Sequence, residues 1–223
     1  MDGGEDRPMP ERIEPPSEPA LRAPWPALVL TLVLVGLYML QGEASGAADR
    51  YGFSPAEFET GDRAGLITAL FVHGSWTHVL LNALGTLAFG APVVRLFGKG
   101  VIAAGMFLLF FLVCGVGANL VFAALHPHSF APLIGASGAV SGLMGAASRL
   151  IEQRNRLAPF TSRVVIGMGA AMLIVNLLIA LVGLEAVSGD AAIAWEAHLA
   201  GYVIGLLLIG PAARLTRGAL TKL

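Results

Sequence analysis

Charged side chains are scarce in this 223-residue chain. Asp, Glu, Lys and Arg together make up 13% of it, about half of what a water-soluble domain carries. That shortage excludes an ordinary soluble fold, because too few polar groups exist to cover the 56% of residues that are hydrophobic. A mean hydropathy of +0.74 agrees. Cysteine is nearly absent: Cys114 stands alone, which excludes an intramolecular disulfide, and its apolar run marks it as inert filler rather than a nucleophile. A net charge of −1 leaves no basic excess for a nucleic acid. The first 25 residues lack an apolar core and are rich in Pro, Glu and Arg, so they read as a disordered polar tail, not a cleavable signal.

What the chain does have is apolar runs of membrane-spanning scale. A hydrocarbon core of about 30 Å takes about 20 apolar residues per helix. The runs fall at 26–41, 76–95, 101–125, 136–151, 163–183 and 195–212, the first and fourth being short. They predict an all-α membrane protein: a six-helix bundle over 26–212, integral to the membrane and in contact with lipid throughout. A long break, about 42–75, carries apolar patches such as Ala64–Val72 and is too long for a mere connection, so it is expected to pack at the membrane interface. Residues 213–223 form a short basic tail.

The basic residues orient the bundle. Arg7, Arg12, Arg22, Arg95, Lys99, Arg149, Arg154, Arg156, Arg163, Arg214, Arg217 and Lys222 fall on one side, twelve of the fourteen; Arg50 and Arg63, in the long break, fall on the other. The excess of Lys and Arg on cytoplasmic loops places both termini in the cytoplasm. Trp25, Trp76 and Trp195 sit near predicted boundaries, as interfacial anchors do.

In that topology the second, fourth and sixth helices all run inward, and each begins with polar groups. His78 and Asn82, four apart, share a face of the second; Ser137 opens the fourth within Gly135-Ala-Ser-Gly138; His198 lies one turn into the sixth. Ionisable groups at membrane depth mark functional sites. A serine hydroxyl becomes a nucleophile when a base takes its proton, and histidine is the usual base. Free backbone N–H groups at the start of the fourth helix, with the Asn82 amide and a His78 ring N–H, suit a developing oxyanion. No Asp or Glu completes a triad, since Glu196 projects to another face than His198, so the pattern is a Ser–His dyad. Gly138 and Gly142 on the fourth helix, continued by Gly145, and Gly201 and Gly205 on the sixth, are spaced for close helix packing, which would bring Ser137 to His198.

These residues together resemble the rhomboid intramembrane serine proteases of the bacterial six-helix type, over about 26–212. The resemblance is carried by His73, His78 and Asn82, by Gly135-Ala-Ser137-Gly138, and by Ala197-His198-Leu-Ala-Gly201 with Gly205. It implies Ser137 as nucleophile, His198 as general base, His78 and Asn82 as oxyanion partners and a structural role for His73. It further implies cleavage of single-span or other membrane-protein substrates near the outer face, without metal or cofactor, in the inner (plasma) membrane of a bacterium. The family's aromatic four residues after the serine, which stacks on the catalytic histidine, is Ser141 here; Met144 is one candidate to support His198 instead. Gly61-Asp-Arg63 looks like the family's tryptophan–arginine stretch without the aromatic, and Gly90–Arg95 lacks the usual acidic residue.

Plainer readings stand beside these. Ser137 can serve helix packing alone, His198 an interhelical hydrogen bond, and Asn82 and His78 a tie to a neighbouring loop. His126 and His128 flank Pro127 in a short loop and read as solvated, with no further metal ligands evident. Asn119 and Asn176 read as interhelical glue. Two other functions fit part of the pattern: an inactive rhomboid-like factor that binds and escorts membrane proteins, and a small transporter or channel using His78, Asn82 and His198 as a polar path. The apolar run Ile204–Ile209 argues against the latter.

Overall fold

The computed structural model describes residues 23–42, 46–152, 156–182 and 194–220. Arg7, Arg12, Arg22, Arg154 and Lys222, and nearly all of the tail expected over 1–25, lie outside the described residues. Helix α1 (Trp25–Gln41) follows Pro24 and carries Pro26 in its first turn, where a missing N–H breaks no helical bond; it stops at Gly42, whose φ of 69° only glycine adopts freely. Three short helices follow, α2 (Ala47–Tyr51), α3 (Pro55–Glu59) and α4 (Gly65–Thr68), the last running into a 3-10 turn (Ala69–Phe71). Then come α5 (Trp76–Phe97), α6 (Gly100–Leu125), α7 (Ser137–Ser148), α8 (Arg163–Val182) and α9 (Trp195–Leu220).

Among the described residues, three helices are long and apolar enough to cross a membrane, α5, α6 and α9 over Trp195–Thr216, while Trp25–Gln41 and Arg163–Leu178 are shorter apolar segments. Large aliphatic side chains face outward around the bundle, with Leu40 84%, Leu84 64%, Ile102 81% and Leu109 62% exposed. Water would not tolerate so much continuous apolar surface, whereas lipid solvates it. The fold is a multi-pass helical membrane bundle.

At its centre is α7. Nine of its twelve residues are buried, and α5, α6, α8 and α9 surround it. Twelve residues span about 18 Å, less than the 136–151 expected from hydropathy. The helix ends early because Arg149 turns the chain back: its carbonyl accepts from the Ala158 N–H at 2.8 Å, and its Nε donates to the Ala158 carbonyl at 3.0 Å. The Arg149 guanidinium also stacks on the Phe160 ring, 4.2 Å from its centroid. At the other extreme, α9 runs past Pro211 to Leu220, so part of the expected basic tail is helical; the Thr216 hydroxyl donates to the Ala213 carbonyl at 2.9 Å beyond the proline.

The segment between α1 and α5 folds back on the bundle. Phe53 and Leu133 exchange both backbone hydrogen bonds at 2.9 Å, and Phe53, Ala69 and Ala123 form a small core of their own with Phe58 and Leu66 packed against it. Asn119 is interhelical glue, as expected: its Nδ2 donates to the Leu66 carbonyl at 3.2 Å and pins the short helix α4 to α6.

Candidate active site

Helix α5 begins where Ser75 caps it, its hydroxyl accepting the His78 N–H at 3.1 Å. This fixes the first turn that carries His78 and, one turn on, Asn82. Just before it, His73 is buried against His78, the two rings edge to face with centroids 5.0 Å apart. His73 also joins two segments: its N–H lies 3.4 Å from Gln41 Oε1 at the end of α1, and its Nε2 lies 3.5 Å from the Ala136 N–H.

The turn into α7 is held by the Gly135 N–H donating to the Ala69 carbonyl at 2.8 Å. Gly135 has φ 106°, and a Cβ there would strike the His78 ring with the Asn82 Nδ2 close behind at 3.6 Å. Glycine is therefore required twice over, by backbone conformation and by space. The outcome is that His78 and Asn82 lie directly beside the turn that delivers Ser137, the first residue of α7. Asn82 is buried, and among the described residues its Nδ2 has no hydrogen-bond partner; nor has His78 Nδ1.

Helix α9 brings His198. Its Nε2 lies 2.7 Å from Ser137 Oγ, and its Nδ1 lies 2.9 Å from Asn176 Oδ1 on α8. The approach depends on the glycines. A Cβ on Gly201 would overlap the Gly138 carbonyl oxygen, one on Gly205 the Gly142 carbonyl oxygen, and one on Gly145 the Tyr202 carbonyl oxygen. On the far side of α7, Gly142 leaves room for Cys114, which is fully buried.

Ser137, His198, His78 and Asn82 thus converge around the start of α7, and Gly138, Gly142, Gly201 and Gly205 line the α7–α9 contact that brings His198 there. His126, in the loop after α6 with its side chain 41% exposed, lies with its Nε2 3.2 Å from Glu196 Oε1, linking the end of α6 to the start of α9. His128 lies 3.7 Å from Glu59, apart from the site. Among the described residues no cluster of His, Cys, Asp and Glu is placed to hold a metal ion. Asn176 is the residue that sequence reasoning assigned too vaguely. The polar group against His198 comes from α8, a helix without a recognisable motif; only an amide in mid-run, four residues after Met172 on the helix's buried face, hinted at it.

Comparison with known proteins gives the arrangement a lineage. The chain is 30% identical over 143 residues to the "Putative rhomboid protease YdcA" of Bacillus subtilis (strain 168), covering 64% of each chain. It is 31% identical over 88 residues to RHOMBOID-like protein 5 and 36% over 81 residues to the mitochondrial RHOMBOID-like protein 6, both of Arabidopsis thaliana. The matches span 64%, 27% and 24% of those relatives' own lengths. The Rhomboid domain model matches residues 60–214, which include every residue of the site, and the chain therefore belongs to the rhomboid family.

Proposed function

We propose that this protein is an intramembrane serine endopeptidase that cleaves transmembrane segments of other membrane proteins. The observation that carries the reading is the 2.7 Å approach of Ser137 Oγ to His198 Nε2 inside an apolar bundle, beside the buried Asn82 Nδ2, which has no partner among the described residues. A buried donor without a partner costs about 1–3 kcal/mol, a cost that makes sense where an anion forms during reaction.

Ser137 Oγ attacks the scissile carbonyl carbon as its proton passes to His198 Nε2. The carbonyl oxygen becomes an oxyanion, met by the Asn82 Nδ2, a His78 ring N–H and the free N–H groups of the first turn of α7. Collapse of the intermediate breaks the C–N bond, and the leaving amine takes the proton from His198. Water then attacks the Ser137 ester, giving its proton to His198, and the acid product departs with Ser137 restored. Peptide carbonyls of an intact helix are already hydrogen-bonded, so preferred substrates are segments with Gly, Ala or Pro near the outer face, where Gly and Pro loosen the helix and Ala keeps the backbone unshielded.

We extend the reading to the whole chain: six membrane helices, both termini cytoplasmic, and the site opening to the outer side of a bacterial plasma membrane. Its support is the distribution of Lys and Arg. Ser141 in place of a stacking aromatic favours a second reading, an inactive escort for membrane proteins. One experiment separates the two. Purified protein and its Ser137→Ala variant are incubated with a fluorophosphonate probe and with a model single-span substrate whose new termini are mapped. Labelling and cleavage that vanish in the variant support the protease; an unlabelled wild type, where a control rhomboid labels, leaves the escort reading.

A further inference from the structure

We infer that Asn176 is the positioning residue of His198, fixing which ring nitrogen holds the proton and so making the other one a base. The inference rests on the assignment of Ser137 and His198 as nucleophile and base, and it adds to that dyad an orienting amide, lining up Ser, His and Asn across α7, α9 and α8.

Hydrogen-bond polarity fixes the arrangement. Asn176 is 2% exposed, too deep for its amide to turn freely. Its Nδ2 lies 2.8 Å from the Met172 carbonyl and 3.3 Å from the Met172 sulfur. A carbonyl and a thioether only accept, so the atom facing them is the NH2 group. Its Oδ1 then faces His198 Nδ1 at 2.9 Å. A carboxamide oxygen also only accepts, so Nδ1 carries the hydrogen. A neutral imidazole protonated on Nδ1 has its lone pair on Nε2, the atom 2.7 Å from Ser137 Oγ. Met172 thus orients Asn176, Asn176 selects the tautomer, and the tautomer leaves Nε2 ready to take the serine proton. The opposite tautomer would donate from Nε2 to Ser137 and could not act as its base.

A neutral amide suits this place. When His198 takes the Ser137 proton it becomes an imidazolium, and the Asn176 oxygen stabilises the Nδ1–H dipole without bringing a carboxylate into apolar surroundings, where an ion is costly to desolvate. With serine at 141, no ring there stacks on the imidazole, and the α8 amide holds it in plane instead. Other amides in the bundle lack this geometry: Asn119 bonds a backbone carbonyl of α4.

The full-length protein in lipid nanodiscs, labelled with 15N-histidine, reports the tautomer directly, His198 being assigned by difference from a His198→Gln sample. We expect Nδ1 protonated and Nε2 bare in the wild type, and a mixture in Asn176→Leu, which keeps the volume and removes the acceptor. Against the model single-span substrate, N176L is expected to lose on the order of 10²-fold in kcat with KM little changed, and Asn176→Gln, which keeps a neutral carboxamide with both an acceptor and a donor, to recover part of the loss. Melting temperatures of both variants are recorded so that unfolding is not read as lost chemistry. An active wild type with His198 protonated on Nε2, or an N176L protein with the wild-type kcat, overturns the role of Asn176 alone. A wild type that neither labels with fluorophosphonate nor cleaves overturns the protease reading beneath it.

Discussion

A serine at the first position of a helix presents its own hydroxyl and the helix's free N–H groups toward the same side, so under the proposed function a nucleophile and part of an oxyanion pocket would arrive together at Ser137. Removing the hydroxyl or the base should leave a folded, inert protein: Ser137→Ala and His198→Ala are expected to abolish cleavage of the model substrate while the melting temperature stays near wild type. Asn82 makes a finer test. Its Nδ2 is buried without a partner among the described residues, so no hydrogen bond shown there stabilises the ground state. Asn82→Ala is therefore expected to lower kcat on the order of 10²–10³-fold without lowering thermal stability through a lost hydrogen bond. A large drop in melting temperature with unchanged kcat would instead make Asn82 a structural tie. The residues that the structure gathers at the candidate site were largely legible in the sequence, because Ser, His and Asn stand out in apolar runs. The partner of His198 was not, because a lone Asn in a helix gives no clue to which neighbour it meets.

Between elements, the closest joint is α7 against α9, where backbone meets backbone across Gly138–Gly201 and Gly142–Gly205. In lipid no hydrophobic drive holds two helices together, so packing at this range does. Gly201→Val is expected to destabilise the bundle by about 1–3 kcal/mol, as overpacking does, and to remove activity by moving His198 from Ser137. Gly105 on α6 is the internal control: a Cβ there meets nothing within 4 Å, so Gly105→Ala is expected to be neutral or to gain up to about 1 kcal/mol through helix propensity. Thermal unfolding in detergent, paired with a cleavage assay, checks both. The spacing of these glycines was readable as an interface. That α7 would be only twelve residues long and wrapped by four other helices was not, since hydropathy measures apolar content and not where Arg149 finds the Ala158 carbonyl.

For the molecule as a whole, the outward aliphatic surface and the asymmetry of Lys and Arg make an orientation that can be tested. Cys114 is the chain's sole thiol and is fully buried, so a membrane-impermeant maleimide is expected to leave the native protein unlabelled. A cysteine introduced at exposed His128, between α6 and α7, should then label in intact cells, whereas one at exposed Lys99, between α5 and α6, should label only after permeabilisation. The reverse pattern would invert the topology and put the Ser137 end of the bundle on the cytoplasmic side.

Composition and apolar run length alone determined that this chain is helical, lives in lipid, and carries a hydroxyl, two imidazoles and an amide near the starts of three of its helices. They do so because apolar run length and charge placement are local quantities, set by a bilayer of fixed thickness. Only the tertiary structure decided that the glycine faces of α7 and α9 close to backbone contact, that Gly135 is pressed by the His78 ring, and that Asn176 reaches His198 from α8. Those contacts join residues tens of positions apart, and whether they form depends on helix rotation and crossing, which no single segment specifies.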